Sequence, residues 1–133
     1  MIYSIISTFL FILVLPFWYI ISRFNQKLGY GFKEKLGFGL GKPLEKKSIV
    51  FYGVSVGEVL ALQNLIKKTK KEFATHNIVI ATGTKTGQET AQKKLGDIAD
   101  YITYFPFDFP FCINSFLNKT NPDVVIVAET ELW

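Results

Sequence analysis

Ser55-Val56-Gly57-Glu58 lies between an apolar run, Ile49 to Val54, and a helix-patterned stretch, Val59 to Phe73. A strand feeding a short Gly-containing turn and then a helix puts Glu58 in the helix's first turn, at the carboxyl edge of a parallel sheet, where open α/β folds keep their ligand crevices. A carboxylate there, within hydrogen-bond reach of a bound hydroxyl, can act as a general base. Ser55-x-x-Glu58 is also the spacing of a capping box, in which the Ser hydroxyl takes the amide of the third helical residue and the Glu reaches back to the Ser amide. The residues alone support both readings.

Three other polar turns carry candidate chemistry. Thr82-Gly83-Thr84-Lys85-Thr86-Gly87 combines backbone amides at a helix start with three hydroxyls and a lysine. That suits an anion, and equally a plain Thr-capped turn. It lacks the Gly-Lys-Ser/Thr ending of a Walker A loop, and no GxGxxG follows the first strand. Asp108, between Phe107 and Phe109 and just before a helical stretch, reads as an N-cap. Glu129 and Glu131 follow a strongly apolar run, Val124 to Ala128, where low dielectric and the like charge of Glu58 would raise a carboxyl pKa toward the range a base needs. His76 is the single histidine and Cys112 the single cysteine, which leaves no transition-metal cluster and no internal disulfide. Cys112 reads as a small core residue and His76 as a loop residue.

The elements that would position these turns repeat one pattern: an apolar run of strand length, a Gly- or Pro-marked turn, then a helical stretch. Strands are expected at Ser48–Val54, Asn77–Ala81, Tyr101–Phe105 and Val124–Ala128, the last covered by helices on both faces. Between them, Val59, Leu62, Ile66 and Phe73 fall on one helical face, Gln88–Leu95 forms a helix stopped by Gly96, and a short helix runs from Cys112 to Leu117. Such alternation predicts a parallel sheet in a doubly wound α/β domain over residues 48–133. In a parallel sheet every strand-to-helix turn emerges at the same edge, so all four polar turns should converge there.

Upstream the composition changes. Ile2 to Ser22 is uncharged, and as a helix it would span about 30 Å, the thickness of a bilayer's hydrocarbon. Residues 1–22 therefore read as a membrane anchor, with Phe17, Trp18 and Tyr19 at interfacial depth and Arg23 and Lys27 holding the following domain on the cytoplasmic side. A helix lying in one leaflet is a rival, and a cleaved signal peptide a weaker one because the basic n-region is missing. The net charge of +4 concentrates in residues 23–47, where seven cations face two carboxylates, leaving −1 for the remainder. That placement suits anionic headgroups rather than nucleic acid. The interleaved Gly29, Gly31, Gly37, Gly39, Gly41 and Pro43 make this segment either a linker or a strip lying on the lipid surface.

Taken in order, Ser55-Val56-Gly57-Glu58-Val59-Leu60-Ala61, Thr84-x-Thr86-Gly87, Pro106-Phe107-Asp108-x-Pro110 and Glu129-Thr130-Glu131-Leu132-Trp133 resemble the N-terminal part of the 3-deoxy-D-manno-octulosonic acid (Kdo) transferases of lipid A biosynthesis. The likeness extends over essentially the whole chain, including the hydrophobic start. It implies the Rossmann-like N-terminal domain of a GT-B glycosyltransferase, anchored on the cytoplasmic face of the inner membrane, that moves Kdo from CMP-Kdo to a lipid A precursor with inversion and without a metal or other cofactor. By the same resemblance Glu58 is the base and Glu129 lines the same catalytic site. Ser55, Gly57, Thr84, Lys85, Thr86, Gly87, Asp108 and Glu131 become acceptor-side contacts. Tyr52 stands where the family usually has His, and Lys85 where Pro is common. The family continues past Trp133 and places its donor on a second domain, which implies that this chain holds the acceptor half of an incomplete site. The donor half would come from a second polypeptide or a missing C-terminal domain. The rival is a truncated or non-enzymatic membrane-tethered α/β module.

Overall fold

The computed structural model describes residues 30–129, together with residues 6, 9, 12–14, 16, 17 and 20. Four strands, β1 (Ser48–Gly53), β2 (Asn77–Thr82), β3 (Tyr101–Tyr104) and β4 (Pro122–Val127), form one sheet in the order β3-β2-β1-β4, and every pairing is parallel. The helices are α1 (Phe32–Lys35), α2 (Val56–Glu72), α3 (Lys85–Leu95) and α4 (Pro110–Thr120).

The alternation of side chains along the strands builds two cores. Ile49 and Phe51 of β1 and Ile78 and Ile80 of β2 point to one face, against Val59, Leu62 and Ile66 of α2 and Ala91 and Leu95 of α3. Val50, Val79 and Ala81 point to the other face, against Phe116 of α4. Phe51, Ile66, Ile78, Ile80 and Leu95 are almost wholly removed from water, and each such side chain stabilises the fold by about 1.5–3 kcal/mol. The split of helices follows from handedness. The chain steps outward from β1 to β2 to β3, then returns across the sheet to β4, and right-handed crossovers in opposite directions must use opposite faces. The reversal falls between β1 and β4, which makes the gap at their carboxyl ends the topological switch point of the sheet.

Three expectations are corrected by the packing. The buried stripe of α2 ends with Thr69 rather than Phe73, which is the helix C-cap and half exposed. Among the described residues β4 lies at the edge of the sheet and is not covered on both faces, with Val124 50% and Val125 42% exposed; on the Val124 face this is because α2 and α3 lie over β1, β2 and β3. Its hydrophobicity reads like that of an inner strand, but coverage depends on which helices reach it. Finally, the N-cap of α4 is Phe109, with Pro110 opening the helix, and Asp108 is exposed just outside.

The glycine-rich segment after residue 30 packs on the domain as a strap. Leu36 and Leu40 are buried, Tyr101 Oη donates to the Leu40 carbonyl at 3.1 Å, and Leu44 N–H donates to the Lys119 carbonyl at 2.9 Å. Gly31 (φ 66°) sits against the Tyr104 ring, where an added Cβ would lie 2.1 Å from ring carbon, and Gly37 (φ 83°) sits against Ser115. Both positions need the left-handed backbone and the missing side chain at once.

The expected anchor, Ile2–Ser22, falls mostly outside the described residues, as do Gln26–Gly29 and Glu131. Of the anchor, Ile6, Phe9, Ile12, Leu13, Val14, Phe17 and Ile20 are helical, and all are exposed. Among the described residues no helix is long and apolar enough to cross a membrane.

Candidate functional site

The turn after β1 closes on itself through Glu58. Its Oε2 accepts from Val54 N–H at 2.6 Å and its Oε1 from Ser55 Oγ–H at 2.7 Å. This differs from a capping box in two ways. The carboxylate takes the amide one residue before the N-cap, and Ser55, the N-cap, points its hydroxyl at the carboxylate instead of the helix amides. The half-buried carboxylate is thus fixed at the helix start by two neutral donors. Each carboxylate oxygen has a second lone pair, so these bonds leave acceptor capacity for a ligand hydroxyl. Gly53 allows this arrangement, since a Cβ there would press on Glu58 Cβ and on Val59 N, each at 3.2 Å. Gly57 is exposed, and a Cβ added there would meet only Ser55 Oγ at 3.9 Å.

The turn after β2 is stitched to the first. The Val54 carbonyl accepts from Gly83 N–H (3.2 Å), Thr84 N–H (3.1 Å) and Thr84 Oγ–H (2.9 Å). Thr84 is the N-cap of α3 and its Oγ accepts from Gly87 N–H at 3.1 Å, so the Thr-capped reading of this turn describes its local geometry. Capping by Thr84 starts α3 at Lys85, three residues earlier than the sequence pattern suggests. Gly83 and Gly87 both sit in close quarters, with added Cβ atoms falling 2.8 Å from Val54 Cγ1 and 3.0 Å from the Val54 carbonyl oxygen. Thr86 is exposed, its hydroxyl 3.5 Å from that of Thr84.

Two lysines frame this second turn. Lys85 donates to Tyr30 Oη at 2.8 Å and lies 3.9 Å from the centre of that ring, with Glu89 at 3.6 Å. The hydrogen bond to Tyr30 leads the influences that raise its pKa. Lys35, from the strap, donates to the Gly83 carbonyl at 2.8 Å, with its ammonium 5.2 Å from the Tyr104 ring centre and 5.9 Å from that of Phe107. Burial lowers its pKa below the ordinary lysine value. The strap is fastened beside it by Glu34, which accepts from Thr103 Oγ–H at 3.3 Å, and by Phe107 N–H, which donates to the Lys35 carbonyl.

The turns after β1, β2 and β3, and Glu129 after β4, follow parallel strands and lie at the carboxyl edge of the sheet. Glu58 and Glu129 follow the two strands that flank the switch point, with Ala128 N–H bonded to the Tyr52 carbonyl at 2.9 Å. Glu129 is exposed, so the low-dielectric surroundings expected for it are not present. Tyr52 stacks on Phe105, ring centres 3.9 Å apart. Asp108 is exposed on the turn after β3. Cys112 is buried on α4, and burial pushes its thiol up to about 11, which suits a packing residue and not a nucleophile. Among the described residues no three His, Cys, Asp or Glu side chains gather as a metal site.

Lys35, Tyr30 and Gly53 were not singled out by the sequence, and Gly83 only as a member of the Thr82–Gly87 turn. Gly53, which ends β1, and Gly83, directly after β2, carried a usable signal, since glycine at a strand end marks close backbone approach. The two strap residues carried none.

Residues 24–133 match the family described as 3-deoxy-D-manno-octulosonic-acid transferase (kdotransferase). Among curated proteins, the chain is 35% identical over 112 residues to a 3-deoxy-D-manno-octulosonic acid transferase of Haemophilus influenzae, covering 84% of this chain and 25% of the relative. It is 33% identical over 102 residues to a protein of the same name from Chlamydia muridarum, covering 74% of this chain and 24% of the relative. It is also 36% identical over 110 residues to a bifunctional glycosyltransferase/methyltransferase of Fusobacterium nucleatum, covering 76% and 17%. The chain thus spans about a quarter of the length of the first relatives it matches. No solved structure matches it.

Proposed function

The chain belongs to the 3-deoxy-D-manno-octulosonic-acid transferase family, and from that premise we propose that it supplies the acceptor-binding, base-bearing half of a GT-B Kdo transferase of lipid A biosynthesis. In this reading Glu58 takes the proton from an acceptor hydroxyl. The acceptor oxygen bonds to the anomeric carbon of Kdo from the face opposite the leaving group, the bond from that carbon to the phosphate of CMP breaks, and CMP departs with the electron pair. No metal ion or other cofactor enters this scheme. The donor, CMP-Kdo, is held by a second polypeptide or a C-terminal domain, in keeping with the share of the relatives that this chain covers.

The observation that carries the reading is the placement of Glu58. Its carboxylate is held at a helix start beside the switch point by two neutral donors rather than by a cation. Glu129 lines the other side of the same gap. Ser55 orients the base and Gly57 leaves room above it. Thr84, Lys85, Thr86 and Gly87 contact a phosphate or sugar of the lipid A precursor, with Asp108 and Glu131 contributing hydroxyl contacts. The apolar, exposed helical residues between Ile6 and Ile20 support an N-terminal anchor that keeps the domain on the cytoplasmic face of the inner membrane, within reach of a lipid acceptor.

The engagement of both Glu58 oxygens favours one rival, a stapling role in a non-enzymatic membrane-tethered module. Glu58→Gln separates the two. A glutamine can keep both turn contacts after the Ser55 hydroxyl rotates, but it cannot take a proton. The expected result is a loss of Kdo transfer of roughly 100- to 10,000-fold with an unchanged melting temperature. Near-normal transfer by the folded variant would leave only the stapling role.

A further inference from the structure

The strap and the Glu58 turn are joined by hydrogen bonds that meet at the backbone of Val54. Lys35 Nζ donates to the Gly83 carbonyl, Gly83 N–H and Thr84 N–H donate to the Val54 carbonyl, and Val54 N–H donates to Glu58 Oε2. We propose that Lys35 is a positioning residue for the Glu58 carboxylate, acting through Gly83 and Val54 without itself touching the substrate. The inference rests on the reading of Glu58 as the base.

Three observations make Lys35 more than a packing side chain. First, its ammonium is half-buried against the faces of Tyr104 and Phe107 and spends its one direct bond to the site on a backbone carbonyl, 48 residues away in sequence. A long alkyl chain would fill that space without the desolvation of a charge, so the charge needs a reason of its own. Second, the peptide it holds has no slack. Gly83 lies so close to Val54 that even a methyl group would meet Val54 Cγ1 at 2.8 Å, so a shift of Gly83 is passed directly to Val54. Third, Val54 is the shared member, its carbonyl collecting three donors from the second turn while its N–H binds the carboxylate. A cation on the Gly83 carbonyl polarises the Gly83–Thr84 peptide and strengthens the Thr84 N–H bond to the Val54 carbonyl, and the fixed position of Val54 in turn sets where its own N–H meets the carboxylate.

The alternative source of order is the local one, in which Ser55 and the helix start alone fix Glu58 and the strap merely covers a sheet edge. The two differ in what happens when the charge is removed and the shape kept. In the full chain, Lys35→Met keeps the aliphatic stem between the rings, and Lys35→Arg restores a charged donor. Amide exchange read residue by residue should rise about tenfold in Lys35→Met at Val54, Gly83 and Thr84, with buried strand amides such as Ile80 unchanged, and should return to within about threefold of the parent in Lys35→Arg. If Lys35→Met does not fold, Lys35→Gln serves with the same readouts. Unchanged exchange at Val54 overturns the proposal, and so does an equal rise across all strands, which would mark Lys35 as packing only.

Transfer kinetics in the complete enzyme bearing this segment give the second readout. Lys35→Met should lower kcat about tenfold and move KM less than threefold, because a misplaced base slows the step without weakening acceptor binding. Unchanged kcat overturns the proposal even if exchange rises. The reading of Glu58 as base fails separately, through an active Glu58→Gln variant, whatever Lys35→Met does to the Val54 amide.

Discussion

The two rims of the sheet handle charge in opposite ways. At the amino rim, carboxylates meet basic side chains. Asp100 accepts from Lys70 Nζ at 2.6 Å and from Ile78 N–H at 2.7 Å, and Asp123 lies 3.4 Å from Lys47 and 3.2 Å from His76. At the carboxyl rim, among the described residues, Glu58 is held only by neutral donors, Lys35 by a carbonyl, and Lys85 chiefly by a phenol. Paired charges close a loop and are finished. Charges held by dipoles keep most of their field, which a ligand of opposite or reacting charge can use. The difference marks the carboxyl rim as the working side of the domain.

The strongest way to break this comparison is to remove one carboxylate from each rim. Glu58→Gln should lower Kdo transfer roughly 100- to 10,000-fold, while Asp100→Asn leaves the rate per folded molecule unchanged. Equal losses from both would mean that the rims do not differ in function. A second test moves the strap. Gly31→Ala requires an alanine at φ 66° with its Cβ inside the Tyr104 ring, at a cost of about 2–4 kcal/mol. Chemical denaturation measures that loss, and the faster exchange of Gly83 and Thr84 amides should accompany it. Little change in stability would show that the strap is not fastened where Lys35 and Tyr30 meet the site.

How much of this arrangement could be read from the sequence depended on distance along the chain. The strands and α2 were legible because a period of two or 3.6 is written in neighbouring residues, as in Ile49, Phe51 and Val59, Leu62, Ile66. The convergence of the polar turns was legible too, since parallel order alone puts them on one edge. The capping-box spacing offered a contact between Ser55 and Glu58, and they do meet, but hydroxyl to carboxylate, with the carboxylate also taking Val54 N–H rather than the Ser55 amide, an arrangement that Gly53 leaves room for. Lys35 and Tyr30 were illegible. Their partners are 48 and 55 residues away, and a segment of glycines and lysines looks the same whether it is a linker or a strap. The exposure of β4 was illegible for a related reason, because its sequence records its hydrophobicity but not which helices cover it.

A smaller effect sharpens the contrast inside the carboxyl rim. Thr84→Ala removes the N-cap of α3 and one of the three donors to the Val54 carbonyl, and should cost about 1 kcal/mol in denaturant unfolding. Ser55→Ala removes no cap, because the Ser55 hydroxyl serves the carboxylate. It should therefore disturb transfer more than stability, the reverse of Thr84→Ala. A Ser55→Ala variant that loses stability but transfers normally would return Ser55 to an ordinary helix start.

The smallest effect belongs to the amino rim and is read by pH. Burial alone would raise the Asp100 carboxyl pKa, but the hydrogen bond from Lys70, the Ile78 amide and the charges of Lys70 and Lys46 together outweigh it, and the net shift is downward. A folded pKa below the unfolded one means that the unfolded chain binds the proton more readily as the solution is acidified. The stabilisation is whole above the unfolded value, near pH 4, and is lost as pH falls through the folded value. Melting temperatures of the parent and of Asp100→Asn, compared between about pH 5 and pH 3, should converge as the pH drops, since only the parent has this contribution to lose. Parallel profiles would mean that the Lys70 pair on this third-exposed surface is screened by water and that Asp100 holds the β3 entry by its Ile78 bond alone.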